Sequence, residues 1–234
     1  MNRRSQRGVT LVELLAAITL LGFVSLALLF AMRIGVNAWQ HGDRRMAADR
    51  SVVAAADLIS AQLGDARAHN VGWGPLERRV SFLLFDGAAD RLQFITHNSV
   101  AARERGGWWL AEYWFEHDAR NNCRLLYNEY PFQSDADAAA VVDQVGPGAN
   151  GLLAVQYRAP RISANTRVLY TGIHDCAFEY LIEPQDQPVY WGKFWPGDNY
   201  KLPRAVAVRF AGEGVRGIAP VATVAMINAR EVWP

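Results

Sequence analysis

The sequence predicts an α+β protein. One long N-terminal helix, membrane-spanning in its first half and amphipathic in its second, leads into and packs on a mostly antiparallel β-sheet head. Three observations carry this expectation. Residues 14–32 form a run of nineteen without a single charge. Beyond it, Met32, Val36 and Trp39 fall at i, i+4 and i+7, and Trp39, Met46 and Val53 recur every seven residues, which places an apolar stripe on a helix. From Val80 onward the chain is rich in β-branched and aromatic residues, in short runs broken by Asp-Gly, Asn-Asn and Pro, the pattern of strands and turns.

The first element is a short basic leader. Arg3, Arg4 and Arg7 precede the apolar run, and Gly8 closes the leader before Val9. The 234-residue chain carries 24 Lys+Arg and 23 Asp+Glu; without these three arginines 21 basic residues face 23 acidic ones. The leader is thus a separable cationic piece on a slightly acidic body, and the near-neutral whole offers no electrostatic case for nucleic acid. As a helix the nineteen uncharged residues span about 28 Å, the thickness of a bilayer's hydrocarbon core. The basic flank stays on the cytoplasmic side by the positive-inside rule, so the chain beyond Met32 is expected outside. The run exceeds the 7–15 apolar residues of an ordinary secretory signal. Glu13 is the anomaly. An ionisable group inside a membrane costs about 2.5–3.5 kcal/mol on insertion scales and calls for a partner.

The helix is expected to continue to about Arg67, with Gly72, Gly74 and Pro75 marking its end. Asp43, Arg44, Arg45, Asp49 and Arg50 populate the faces away from the apolar stripe. The chain divides accordingly into a leader (1–8), a membrane segment (9–32), an amphipathic continuation (33–70) and a β-rich head (71–234). In the head, "RVSFLLF", "DRLQFIT", "WWLAEYWFEH", "NCRLLYNEYPF", "RVLYTGIHDCAFEYLI" and "LPRAVAVRF" are the expected strands. In "LAEYWFEH", Leu110, Glu112, Trp114 and Glu116 share one face, and Ala111, Tyr113, Phe115 and His117 the other. Aromatics on both faces make this a central strand, joined to the next by a turn around residues 118–122. A short helix is expected in "SDADAAAVVDQV", where Ser134 and Asp137 form a capping-box pattern.

The N-terminal stretch Gly8, Val9, Thr10-Leu11-Val12-Glu13-Leu14-Leu15 behind its basic leader resembles the class III leader of type IV pilins and type II secretion pseudopilins. The resemblance implies a pilin-like fold. It also implies cleavage after Gly8 by a prepilin peptidase, N-methylation of Val9, and retention of the apolar segment as a single-pass anchor of the inner membrane with a periplasmic head. Glu13 would then set the register between assembled helices by pairing with an N-terminal amine. Phe usually stands where this chain has Val9. Within the family, "ADRLQFIT", "CRLLYNEYPF" and the late block from "VLYTGIHDCAFEYL" to "KLPRAVAVRF", with Trp191 and Trp195 between, look like the J-type minor pseudopilin. That likeness implies I-type and K-type minor pseudopilins, the major pseudopilin and secreted substrates as partners. The minor pilins of type IV pili share much of the pattern and are the rival within the family. Outside it, the rival is a membrane-anchored periplasmic enzyme or binding module.

No catalytic constellation is legible, and no cofactor is expected. His41, His69, His97, His117 and His174 are scattered without paired spacing, and there is no GxSxG, P-loop or GxGxxG. Asp135, Asp137 and Asp143 lack the ligand spacing of a calcium loop and fit an acidic helix start. "WPGDN" reads as a turn, and the Trp191–Trp195 pair as packing rather than a sugar platform. No metal site is expected: the two cysteines, Cys123 and Cys176, form no CxxC and no local cluster with histidine. In an oxidising compartment they would bridge; as two buried free thiols they would not, and the sequence leaves both open.

Overall fold

The computed structural model describes residues 10–100, 107–119, 122–148, 153–184, 187–195, 201–212 and 221–227. The chain divides into two units, residues 1–50 and 51–234. The first holds most of α1, which begins at Leu11 and runs to Gly64, so its last turns belong to the second unit. Within it the stretch Leu11–Gln40 is long and apolar enough to cross a membrane. Thr19 Oγ1 donates to the Ala16 carbonyl (2.9 Å) and Ser25 Oγ to that of Leu21 (2.8 Å). Both hydroxyls are thereby satisfied within the helix, as an apolar solvent demands.

Among the described residues, the second unit is an antiparallel sheet of eight strands with two accessory ribbons. After α1 come β1 (Asn70–Trp73), β2 (Val80–Leu83), β3 (Phe85–Gly87), β4 (Arg91–Thr96), β5 (Trp108–His117), β6 (Cys123–Phe132), β7 (Val142–Pro147), β8 (Leu153–Tyr157), β9 (Arg167–Ile182), β10 (Tyr190–Gly192), β11 (Ala205–Gly212) and β12 (Val221–Met226). The main sheet has the order β12-β11-β9-β6-β5-β4-β3, with β10 also on β9; β1–β2 and β7–β8 form separate ribbons. The aromatic strand β5 is indeed internal, paired with β4 on one side and β6 on the other.

Alternation along the strands builds two cores. Phe94, Ala111, Tyr113, Phe115, Leu125 and Tyr127 join Phe178, Tyr180 and Val206 on the face that receives Ala55, Ile59 and Leu63 of α1. Their chain neighbours Ile95 and Leu110 point the other way, into a second core with Val71, Phe82, Leu84, Phe132, Val141 and Val142. The sheet is therefore covered on both faces, by the end of α1 and by the ribbons, which explains why its central strands carry aromatics on both sides.

Two expectations are corrected here. The stripe of α1 that packs on the sheet is Ala55, Ala56, Ile59 and Leu63, all buried, whereas Val53, the last residue of the seven-residue repeat, is 57 % exposed. The helix stops at Gly64, not near Arg67, and Gly72 of the expected stop signal lies inside β1, which pairs with β2. The short helix in "SDADAAAVVDQV" is a 3-10 helix, Asp135–Ala140. It ends because Val141 and Val142 are buried in the second core, and from Val142 the chain pairs with β8.

Candidate functional site

Gly8 and Val9, the expected cleavage junction, lie outside the described residues. Glu13 lies within them, in the first turn of α1. The Thr10 backbone N–H (3.0 Å) and hydroxyl (3.1 Å) both reach Oε2 of Glu13, and the Glu13 N–H donates to Thr10 Oγ1 (3.3 Å). This reciprocal arrangement is a capping box, which satisfies helix-terminal donors within the chain. The signal is local in the sequence, as Thr-x-x-Glu ahead of an apolar run. Both bonds from Thr10 go to Oε2, leaving Oε1 with its acceptor capacity.

In the head, Cys123 and Cys176 are joined by a disulfide that closes 53 residues of chain separation, with Cα atoms 6.6 Å apart. Three adjacent strands converge here. His117 ends β5 directly opposite Cys123 of β6, and Cys176 is on β9, which pairs with β6. His117 Nε2 lies 3.5 Å from Cys176 Sγ. The cysteines form no local cluster with histidine in sequence, and the fold nevertheless brings His117 to them. The two cysteines and His117 are far apart in sequence, and only strand order and register bring them together.

Two buried polar layers flank the sheet's centre. On the α1 side, Gln62 Nε2 donates to Tyr127 OH (2.8 Å) and the Asn98 carbonyl (2.7 Å), while Tyr113 OH donates to Gln62 Oε1. Thr96 Oγ1 adds a bond to the Gln62 carbonyl (3.0 Å). The last turn of α1 is thus fixed to β4, β5 and β6 by directional contacts as well as by area. On the other face, Gln93, Glu112 and Asn128 form a cross-strand row. Glu112 accepts from Gln93 Nε2 (2.7 Å), Asn128 Nδ2 (2.8 Å) and Tyr130 OH (3.4 Å). Burial nonetheless raises its pKa, since these bonds only partly replace water. Asn128 also donates to the Arg161 carbonyl (3.1 Å) and accepts from Thr166 Oγ1 (2.7 Å), so the row holds the segment between β8 and β9 over the sheet.

The other candidate residues have separate engagements. Asp135 accepts from the Gly72 N–H (3.0 Å) and from Arg79, tying the β1–β2 ribbon to the 3-10 helix. Asp137 accepts from the N–H groups of Gln133 and Ser134 (both 2.8 Å), which lowers its pKa. Asp143 pairs with Arg158 (2.7 Å). The three acids do not converge. Trp195 packs against the first core, and its backbone N–H donates to the Gly87 carbonyl (2.9 Å). A Cβ at Gly87 would fall 2.7 Å from the Tyr180 ring and 2.9 Å from Trp195 Cβ, so that close approach requires glycine. Trp191 sits 37 % exposed on β10; residues 196–199 of the "WPGDN" turn lie outside the described residues. His69 and His97 flank the Trp108 ring at 5.1 and 3.9 Å.

Two open grooves adjoin the β7–β8 ribbon. One, of about 520 Å³, is lined by Trp73, Pro75, Arg78, Val145, Pro147 and Leu153 among others; the other, of about 420 Å³, by Arg91, Gln144, Gln156 and Tyr157 among others. Neither brings a nucleophile beside a general base. The chemistry-bearing features of the described residues are therefore the capped N-terminus of α1 and the His117–Cys123–Cys176 corner.

Residues 3–29 match the family model described as the prokaryotic N-terminal methylation motif. No curated protein and no solved structure matches the chain significantly. The match runs from the basic leader through Glu13 well into the apolar part of α1. The chain thus carries a pilin-type N-terminal motif on a pilin-like α+β arrangement, a long apolar helix followed by an antiparallel sheet domain.

Proposed function

We propose that the chain is a J-type minor pseudopilin of a type II secretion system, a structural subunit at the tip of a periplasmic pseudopilus. The observation that carries the reading is the order of parts: the methylation motif over residues 3–29, a membrane-length helix over Leu11–Gln40, then an antiparallel head. A prepilin peptidase cuts after Gly8 and methylates Val9. The retained helix anchors the subunit in the inner membrane, with the head in the periplasm. I-type and K-type minor pseudopilins and the major pseudopilin assemble with it to support export of folded substrates.

Glu13 contributes register. Its Oε2 is engaged by Thr10 of its own chain, and the remaining oxygen takes a charge-assisted bond from an N-terminal amine exposed by cleavage. In a low dielectric such a pair favours the one helix stagger that forms it, because any other leaves a charge unpaired. The same N-terminal motif serves the minor pilins of type IV pili, so the experiment has two arms. Intact-mass and N-terminal analysis of the membrane-extracted protein is expected to give a chain beginning at N-methylated Val9. An uncleaved Met1, or a cut within the apolar segment, overturns the pilin-like reading and leaves a membrane-anchored enzyme or binding module. Co-purification with I-type and K-type pseudopilins is expected of the secretion subunit; recovery with pilus minor pilins instead assigns it to a pilus.

A further inference from the structure

The corner where β5, β6 and β9 meet holds one ligand atom each from His117, Cys123 and Cys176, all within 4.8 Å of one another. We propose that when the Cys123–Cys176 bond is reduced this corner is a Zn(II) site with two thiolates, one imidazole and a fourth position open to water. The two states exclude each other, because each sulfur bonds either to its partner or to the metal.

The geometry supports both states on one backbone. A tetrahedral zinc with Zn–S of about 2.3 Å holds its two sulfurs roughly 3.8 Å apart. The Cα separation of 6.6 Å is near the long end of the disulfide range of about 4.4–6.8 Å, so side-chain rotation alone can part the sulfurs. The three ligands come from strands rather than loops, and His117 and Cys123 are register partners, which pre-orders the tripod. One position inward on the same face, Phe115, Leu125 and Phe178 close the site from below, with the Phe115 and Phe178 rings 4.7 Å apart. Cys123 is buried, Cys176 half-buried and His117 exposed. The metal would therefore sit at the edge of the core with its free position toward solvent. Two thiolates and an imidazole are a soft set that selects zinc over calcium or magnesium.

The chemistry balances. A dithiol reductant delivers two electrons and two protons to the Cys123–Cys176 bond and becomes a disulfide. Zn(II) then displaces both thiol protons and keeps its oxidation state. A disulfide oxidant reverses the sequence: two electrons leave the thiolates, the S–S bond re-forms, and Zn(II) is released.

The test uses the full chain in detergent, reduced with a phosphine under anaerobic conditions and titrated with Co(II), then Zn(II). Expected are one Co(II) per chain, with the intense visible bands of a tetrahedral ion and a thiolate charge-transfer band, both lost when Zn(II) is added. The oxidised chain should show neither. His117→Ala keeps both thiols and should weaken binding by roughly 100-fold or more, at least the loss that even outer-shell partners cause. Three outcomes overturn the proposal: no saturable binding at micromolar metal, unchanged affinity and spectrum in His117→Ala, or loss of the near-UV circular dichroism of the head on reduction, which would mean that the tripod does not survive.

Discussion

Glu112 is a carboxylate only 3 % exposed, with three side-chain donors and, among the described residues, no salt-bridge partner. Burial raises its pKa, and it does the same to Asp86 despite the Arg91 partner. The consequence for stability has a definite sign. Between the ordinary carboxyl range and the raised values, the folded head binds more protons than the unfolded chain, so stability falls as pH rises through that window and levels off above it. Glu112→Gln keeps the shape and cannot ionise. Denaturant unfolding of the head from pH 4 to 8 should therefore show a shallower decline for the variant, with the largest advantage at the high end. A variant that tracks the parent at every pH would mean that Glu112 is not the group responsible. At this scale legibility was uneven. The Thr10–Glu13 capping box is a local pattern and was readable, as was the opposite-face placement of Glu112 and Tyr113. The approach of His117 to Cys176 was not, because it depends on β6 pairing with both β5 and β9, which brings together residues 59 apart in sequence.

The elements follow the same division between local and non-local information. Helix α1 and the strands β2, β4, β5, β6, β9 and β11 were legible because each carries its own period and its own turn signals. The strands β1, β7 and β8 and the edge strand β12 were not. Their residues are short, partly polar stretches whose pairing is decided by what they cover. Residues 70–73 contain the glycine of a helix stop, yet Val71 is fully buried in the second core, and that burial makes the segment a strand. The seam of α1 is a similar case. A seven-residue stripe ending at Val53 is real in sequence, but the sheet selects the stripe through Ala55, Ile59 and Leu63. Ile59 is fully buried and Val53 is not. Ile59→Ala should accordingly cost about 2–5 kcal/mol by lost burial and cavity formation, and Val53→Ala no more than about 0.5 kcal/mol, as an exposed site allows. Chemical denaturation of the two variants side by side checks the assignment; equal losses would place the seam elsewhere.

At the scale of the whole chain, the two units have different physical tasks, and that separation can be tested. In the proposed function, processing and anchoring draw on the N-terminal unit: the leader, Gly8, and an apolar helix that satisfies its own hydroxyls. Stability of the second unit draws on two cores, two polar layers and a disulfide across a 53-residue separation. Removing such a cross-link releases chain entropy in the unfolded state worth about 2–4 kcal/mol, without touching the N-terminus. Three variants, compared by mass analysis and by recovery of pseudopilin partners, should therefore fail in three different ways. Gly8→Ala should retain the leader and accumulate as precursor. Glu13→Ala should be cut and methylated normally but lose co-assembly, because its helix keeps its length and loses only the charge proposed to fix the stagger. Cys123→Ser with Cys176→Ser should be cut and methylated normally, with a head that unfolds at lower denaturant concentration. If the cysteine variant failed at cleavage, or if Glu13→Ala assembled like the parent, the division of labour between the units would be wrong, and Glu13 would be no more than the cap of its own helix.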